Sequence, residues 1–261
     1  MITSAQKLLM ARAGAGGGGG SFDPSQLAST LAWYDASDSS TVVYDGSNQV
    51  SAWDDKIASV SVTRTADSGV LYNVGGGYLT FTNPSAGLVN RTTRFGLAAN
   101  PDIFAAAVFE IAGTSEGRVF TVGDLDASAI LVGSTDISWR FNNGNKVFSQ
   151  DVAVNTLELL VWQRSADSNY GASTAFLNGS ELTEASSTNP TNVPTNTVAE
   201  FGLGTGYFET GSGDFDGDFY EIVICESDTQ SDREKIEGYL AHKHGLTANL
   251  PADHPYKTTA P

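Results

Sequence analysis

Cysteine is almost absent from this 261-residue chain. Cys225 stands alone, so no intrachain disulfide can form and the fold has to stand on its hydrophobic core. Histidine is nearly as scarce: His242, His244 and His254 are the three, all beyond residue 240. Basic residues number 14 against 30 acidic ones, a net charge of −16. That balance excludes nucleic acid and anionic membranes as partners, because phosphate contact needs a basic face. No run approaches the ~18 apolar residues of a helical membrane span. No repeat of solenoid or propeller length occurs. The N-terminus lacks a signal-peptide profile, since Lys7 and Arg12 bracket only a short apolar patch. The expectation is a protein made in a reducing cytoplasm, not exported by a cleaved signal, and kept soluble by its acidity.

What is present is mostly β. From Phe22 onward, short segments of β-branched and aromatic residues alternate with turn clusters, the pattern of sandwiches and jelly rolls. Ile103–Ile111, Ile137–Phe141, Leu157–Arg164 and Phe215–Cys225 are the clearest strands, and the nearly continuous apolar run of Leu157–Trp162 predicts a central strand covered on both faces. Asn178-Gly179, between Ala175-Phe176-Leu177 and Glu181-Leu182, predicts a type I′ hairpin. Residues 185–197, rich in Ser, Thr, Asn and Pro, predict a loop.

Two segments depart from the β pattern. Residues 1–13 have helical spacing at Ala5, Leu8, Leu9 and Arg12, followed by the glycine run 16–20. A helix this short is marginal alone in water, so Leu8, Leu9 and Met10 are expected to anchor an arm, residues 1–20, by burying against a partner. Near the other end, Ser231 and Glu234 have capping-box spacing, Ile236, Tyr239 and Leu240 share a face, and Gly245 follows the last turn. This predicts one amphipathic helix over 231–244, closing a β domain that covers residues 21–261.

The C-terminal segment Ile236-Glu237-Gly238-Tyr239-Leu240-Ala241-His242-Lys243-His244-Gly245-Leu246, with Leu250-Pro251-Ala252-Asp253-His254-Pro255-Tyr256-Lys257, resembles the closing signature of concanavalin A-like (LamG-type) jelly-roll domains in tailed-phage structural proteins. Leu31-Ala32-Trp33-Tyr34-Asp35-Ala36-Ser37-Asp38 and Val50-Ser51-Ala52-Trp53-Asp54-Asp55-Lys56 resemble the opening of the same group, and Asp216–Ile224 its last core strand. The resemblance spans about residues 30–257. It implies an all-β, concanavalin A-like sandwich with one C-terminal helix, and a lectin-like role.

Candidate chemistry is sparse. Gly113-Thr114-Ser115-Glu116-Gly117 matches the nucleophile-elbow pattern, but a strand follows it, so a hairpin loop is expected. Retaining glycosidases need two carboxyl groups roughly 5 Å apart. The β-glucanases of the resembled fold carry them on one strand as E-x-D-x-x-E. No such stretch occurs here, and Glu110 and Glu221 read as isolated. Asp214, Asp216 and Asp218 alternate around Phe215 and Gly217, which suits either a Ca²⁺ site or a solvated turn with Gly217 at a bulge. Trp139, Asn142, Asn143 and Asn145 around the Gly144 turn, with Tyr207 in a second glycine-rich loop, form a candidate carbohydrate site, with ring faces for sugar C–H groups and amides for hydroxyls. Trp139 has the core as its other reading, and Trp33, Trp53 and Trp162 are expected there.

Taken together, the sequence predicts a non-enzymatic virion protein, a head decoration or fibre or a tail appendage. Its arm would bind capsid or tail proteins, its sandwich surface glycans, and it would assemble as a trimer, needing no cofactor unless Ca²⁺. The alternatives are a secreted or surface carbohydrate-binding module and a polysaccharide hydrolase.

Overall fold

The structure, a computed structural model, describes residues 22–64, 69–82, 87–90, 102–114, 117–122, 128–141, 144–165, 169–189, 191, 201–205 and 215–261. The anchoring residues Leu8, Leu9 and Met10 lie outside them.

The strands in chain order are β1 (Thr30–Asp35), β2 (Val42–Tyr44), β3 (Val50–Asp54), β4 (Ser61–Arg64), β5 (Val70–Asn73) and β6 (Tyr78–Phe81). Next come β7 (Leu88–Asn90), β8 (Ile103–Ile111), β9 (Gly117–Val122), β10 (Ser128–Val132), β11 (Ile137–Phe141) and β12 (Gly144–Phe148). The last are β13 (Leu157–Arg164), β14 (Thr174–Leu177), β15 (Ser180–Glu181), β16 (Glu184–Thr188), β17 (Phe201–Leu203) and β18 (Gly217–Cys225). They form two antiparallel sheets. One has eight strands in the order β15-β14-β13-β8-β18-β6-β5, with β1 also pairing β18; the other has ten, β16-β12-β11-β10-β9-β17-β7-β4-β3-β2. The expected all-β sandwich is therefore present, with the helix α1 (Gln230–His244) as a third layer on the outer face of the eight-stranded sheet.

Strand β8 shows how the layers arise. Ile103, Ala105, Ala107, Phe109 and Ile111 point between the sheets, while Phe104, Ala106 and Val108 point outward beneath α1. A strand buried on both faces needs an apolar residue at almost every position, and β13 behaves alike: Leu160 and Trp162 face in, Leu159 and Val161 face the helix. The first outward residue of β8 beyond that apolar series is Glu110.

Several local expectations need correction. The helix N-cap is Thr229, not Ser231: its hydroxyl accepts from Asp232 N at 3.3 Å, while hydroxyls of Ser29 and Ser227 donate to the Asp232 carboxylate. That network fixes the start one residue earlier than spacing alone suggests. The C-cap Gly245 has φ +72°, as expected. No hairpin joins β8 to β9, contrary to the expectation for Gly113–Gly117, because the two strands belong to different sheets. Residues 184–188 form an exposed edge strand on β12 where a loop was expected. The bulge in β18 lies between Phe219 and Glu221 rather than at Gly217. Gly217 is needed for a different reason: a Cβ there would stand 2.0 Å from the Glu110 carbonyl oxygen.

Candidate functional site

Trp139 does not face a sugar. It is 2% exposed, projects between the sheets and stacks on Trp162 with ring centroids 4.0 Å apart. The reason is parity: on β11, Ile137 and Trp139 share the inward face, and Arg140 the other. Asn145 lies on β12, half-buried, opposite Arg140 and Thr188. Asn142, Asn143 and Tyr207 lie outside the described residues, as does Asp214. Asp216 and Asp218 are both half-buried at the start of β18, and among the described residues no group of three metal-ligating side chains is arranged to hold an ion.

Strand register assembles a different set. On the outer face of the eight-stranded sheet, Asp218 of β18 pairs with Glu110 of β8 on one side and Thr80 of β6 on the other. Cross-strand neighbours have Cβ atoms about 4.5–5.5 Å apart, so Glu110, which reads as isolated in sequence, and Asp218, which reads as one of an alternating acidic triplet, are adjacent in space. Two positions along from Thr80 and Asp218 stand Tyr78 and Tyr220, ring centroids 5.0 Å apart at 37°. All five side chains are half-buried. Tyr220 also meets the His244 ring edge-on at 6.0 Å, which places the strip beside the C-terminal end of α1.

The electrostatics follow from this placement. Burial pushes the Asp218 carboxyl above its usual range; Thr80 Oγ1, donating at 2.7 Å, works against this, while the charges of Glu110 and Asp216 add to it. Burial and the charges of Glu110 and Asp218 push both tyrosine hydroxyls up. The Tyr78 oxygen accepts from Asn73 Nδ2 at 2.6 Å. The result is two aromatic faces bordered by hydroxyls and carboxylates, the combination that holds a polyhydroxylated ligand. Of this strip, sequence offered Asp218 as a metal candidate and Glu110 only as a lone carboxylate. The available signal was the period-two alternation Tyr78/Thr80 and Asp218/Tyr220, which marks outward positions but not which strands meet.

The C-terminal signature residues, by contrast, hold the layers together. Glu221 is fully buried and accepts from Trp33 Nε1 (2.7 Å), Tyr239 Oη (2.9 Å), His244 Nε2 (2.7 Å) and Lys243 Nζ (2.7 Å). Glu237, equally buried, takes two hydrogen bonds from Arg233 Nη1 and one from His254 Nε2. The Arg233 guanidinium lies 3.7 Å over the Phe176 ring. His242 meets the Tyr256 carbonyl at 2.9 Å. The signature thus ties tail to helix and helix to sheet.

No protein-family model matches this sequence, and no curated protein matches it. Solved structures do share the fold. A Trypanosoma rangeli sialidase in complex with sialic acid superposes with TM-score 0.57 at 14% identity over 82% of this chain. A mutant of that sialidase displaying trans-sialidase activity gives 0.58 at 13% identity over 83%. A botulinum neurotoxin type C structure, described by its interaction with two ganglioside molecules, gives 0.54 at 8% over 81%. The chain spans about a third of the sialidase chains (33%) and about half of the toxin chain (51%). None of these three is a phage protein, so they lend no support to a virion role. They do correct the expectation of a non-enzymatic chain: the sandwich recurs within sialidases, which are enzymes, so neither the fold nor the missing E-x-D-x-x-E stretch sets this protein apart from enzymes. At identities this low the comparisons establish the shared β-sandwich fold, which is the part of the sequence resemblance that they carry.

Proposed function

We propose that this protein is a glycan-recognising β-sandwich whose contact surface is the strip Tyr78, Thr80, Glu110, Asp218 and Tyr220. The observation that carries the reading is the half-buried Tyr78–Tyr220 pair set next to Asp218 and Glu110. Sugar rings present apolar C–H faces to aromatic rings and hydroxyls to carboxylates, and the strip offers both within two residues along each strand. Proteins of the same fold whose structures are described with sialic acid or with gangliosides lend support. The test is a glycan microarray probed with the intact chain, its Tyr220→Ala variant and its Tyr78→Ala variant. Glycan signals that both variants abolish, with unfolding midpoints close to the parent's, support the reading. An array that stays blank counts against it.

A second reading is favoured by one observation, the cross-strand adjacency of Glu110 and Asp218. A retaining glycoside hydrolase needs two neighbouring carboxyl groups, which this register supplies, and the raised Asp218 suits the acid of such a pair. Release of chromophore from aryl glycosides, lost in both Glu110→Gln and Asp218→Asn, is the outcome that would establish it. Attachment to a virion through Leu8, Leu9 and Met10, as a trimer, is proposed from the sequence alone, from its helix-and-glycine arm and its resemblance to phage domains; co-sedimentation with particles before and after deletion of residues 1–13 tests it.

A further inference from the structure

We infer that Asn73 is a positioning residue of the strip: it fixes the Tyr78 hydroxyl as a hydrogen-bond donor, so a bound glycan meets it with an oxygen acceptor. This rests on the glycan-recognition reading above and adds the polarity with which the strip meets a sugar. Asn73 and Tyr78 are the last cross-strand pair of the β5–β6 hairpin, and residues 74–77 turn between them. The Asn73 carbonyl accepts from Gly76 N at 3.1 Å and from Gly77 N at 2.8 Å. The same Gly76 N also reaches the side-chain Oδ1, at 2.9 Å. With its oxygen engaged there, the amide turns its nitrogen to Tyr78, and Nδ2 donates to Oη at 2.6 Å. A phenol that accepts at its oxygen still has one proton to give. Among the described residues none takes it; the bond from Asn73 is the one made at Oη. Burial pushes this hydroxyl up, so the proton stays on it at neutral pH.

The turn is built to hold that direction. Gly77 is left-handed, with φ +66°, and a Cβ there would stand 3.0 Å from Ser37 Cα. A Cβ on Gly76 would stand 2.2 Å from Tyr78 Cε1 and 2.7 Å from Cδ1, so the backbone of the turn lies against the ring. The Tyr220 ring, 5.0 Å away, contacts it as well. A hydroxyl held in this way loses little freedom when it binds. The next outward residue of β6 has the opposite polarity. Thr80 Oγ1 gives its proton to Asp218 Oδ1 at 2.7 Å and is left as an acceptor. Along β6 the strip therefore gives a hydrogen bond at Tyr78 and receives one at Thr80, two residues or about 7 Å further on. A sugar meets this pattern with a ring oxygen or an acetamido carbonyl at one point and a hydroxyl at the other.

The experiment has two arms, both on the full-length chain. In the first, tyrosine is labelled at ring Cζ and observed by NMR without sugar; the Tyr78 resonance is the one missing from Tyr78→Phe. Asn73→Asp reverses the hydrogen bond, since a carboxylate takes the phenol proton, and should move that resonance. Asn73 is exposed, so the variant should keep the fold and its unfolding midpoint. In the second arm the glycan microarray is read over a protein concentration series. Tyr78→Phe and Asn73→Asp should each weaken apparent affinity about three- to tenfold, the worth of one hydrogen bond. Asn73→Ala, which leaves the hydroxyl free to turn, should lose less than Asn73→Asp. The Tyr78→Phe, Asn73→Asp double variant should bind no more weakly than Tyr78→Phe. Four results overturn the inference. One is a Tyr78 resonance that stays in place in Asn73→Asp. Another is an Asn73→Asp loss that persists in full in the Tyr78→Phe background, which would mean that Asn73 acts other than through this hydroxyl. A third is Tyr78→Phe binding as tightly as the parent while Tyr220→Ala does not bind, which leaves the glycan reading intact. The fourth is a blank array for the parent, which removes both.

Discussion

Lys243 and Glu221 form an ion pair at 2.7 Å in which the carboxylate is wholly buried and the lysine a quarter exposed. The pair joins the end of α1 to the central strand β18, and Trp33, Tyr239 and His244 donate to the same carboxylate. Removing one partner of such an arrangement strands the others. Glu221→Ala should therefore cost about 3–5 kcal/mol, because four donors lose their acceptor in a buried setting. Urea unfolding measures this directly. A loss under about 1 kcal/mol would show that the network contributes little to the stability of the layer.

The same carboxylate sets an acid limit. Burial alone would raise it, but the Lys243 charge and the His244 hydrogen bond prevail and hold it at about 2, against an ordinary 4.5. A depressed carboxyl contributes stability that is complete above its unfolded value and is lost as pH falls through its folded one. The window here runs from about pH 4.5 down to about pH 2, and the contribution is on the order of 3 kcal/mol. Melting temperatures taken across that range should fall steeply for the parent and much less for Glu221→Gln. Parallel slopes in the two proteins would move the acid sensitivity to other carboxylates.

Gly238 tests the attachment of the tail. A glycine in mid-helix is ordinarily improved by alanine, by about 1 kcal/mol. Here a Cβ would stand 2.4 Å from the Tyr256 Cβ, so Tyr256 and the segment behind it would have to move. Gly238→Ala is expected to destabilise by about 1–3 kcal/mol despite its better helix propensity. A rise in melting temperature would mean that the tail adjusts freely and that its packing on α1 is loose.

How much of this was legible beforehand depended on whether the signal was local. The helix and Gly245 were readable because spacing and capping act within a few residues. So was the Asn178-Gly179 turn, where φ is +52° and +79°. The edge strand β16 was not, because Glu184–Thr188 is exposed throughout, has no large apolar residue, and is held in the sheet only by pairing with β12. Trp139 was ambiguous in sequence because the Gly144 turn near it pointed to the surface, whereas its parity on β11 buries it. The adjacency of Glu110 and Asp218 is a matter of register between strands more than 100 residues apart, and no local pattern carries it. The C-terminal signature was recognisable as a string, but its part in joining helix, sheet and tail emerged only from partners as distant as Trp33 and Phe176.

Asn178 is a case where turn and core meet. Its backbone is left-handed, its Oδ1 accepts from Leu159 N at 3.1 Å, and its Nδ2 donates to the buried Glu158 carboxylate at 2.5 Å. The turn is also pressed by the tail, with Pro251 Cδ 3.0 Å from where a Gly179 Cβ would be. Asn178→Gly keeps the backbone at ease and removes only the side-chain bonds, while Asn178→Ala removes the bonds and adds backbone strain. Losses of roughly 1–2 and 2–4 kcal/mol are expected, in that order. Equal losses would assign the whole effect to the side chain.

Trp139 separates the two candidate surfaces. As a sugar-stacking residue its replacement would weaken glycan binding and leave stability nearly unchanged. As observed, it stacks on Trp162 across the two sheets and is sealed from solvent, so Trp139→Ala should open a large cavity and cost about 3–5 kcal/mol. Trp139→Phe retains part of the stack and should cost less. Neither change should touch the Tyr78–Tyr220 strip, which belongs to the opposite face of the other sheet. Glycan affinity of the folded Trp139→Phe protein should thus match the parent within about twofold, within the usual limits of additivity for distant sites. A selective loss of binding with stability retained would return the contact surface to the Gly144 turn and remove it from the strip.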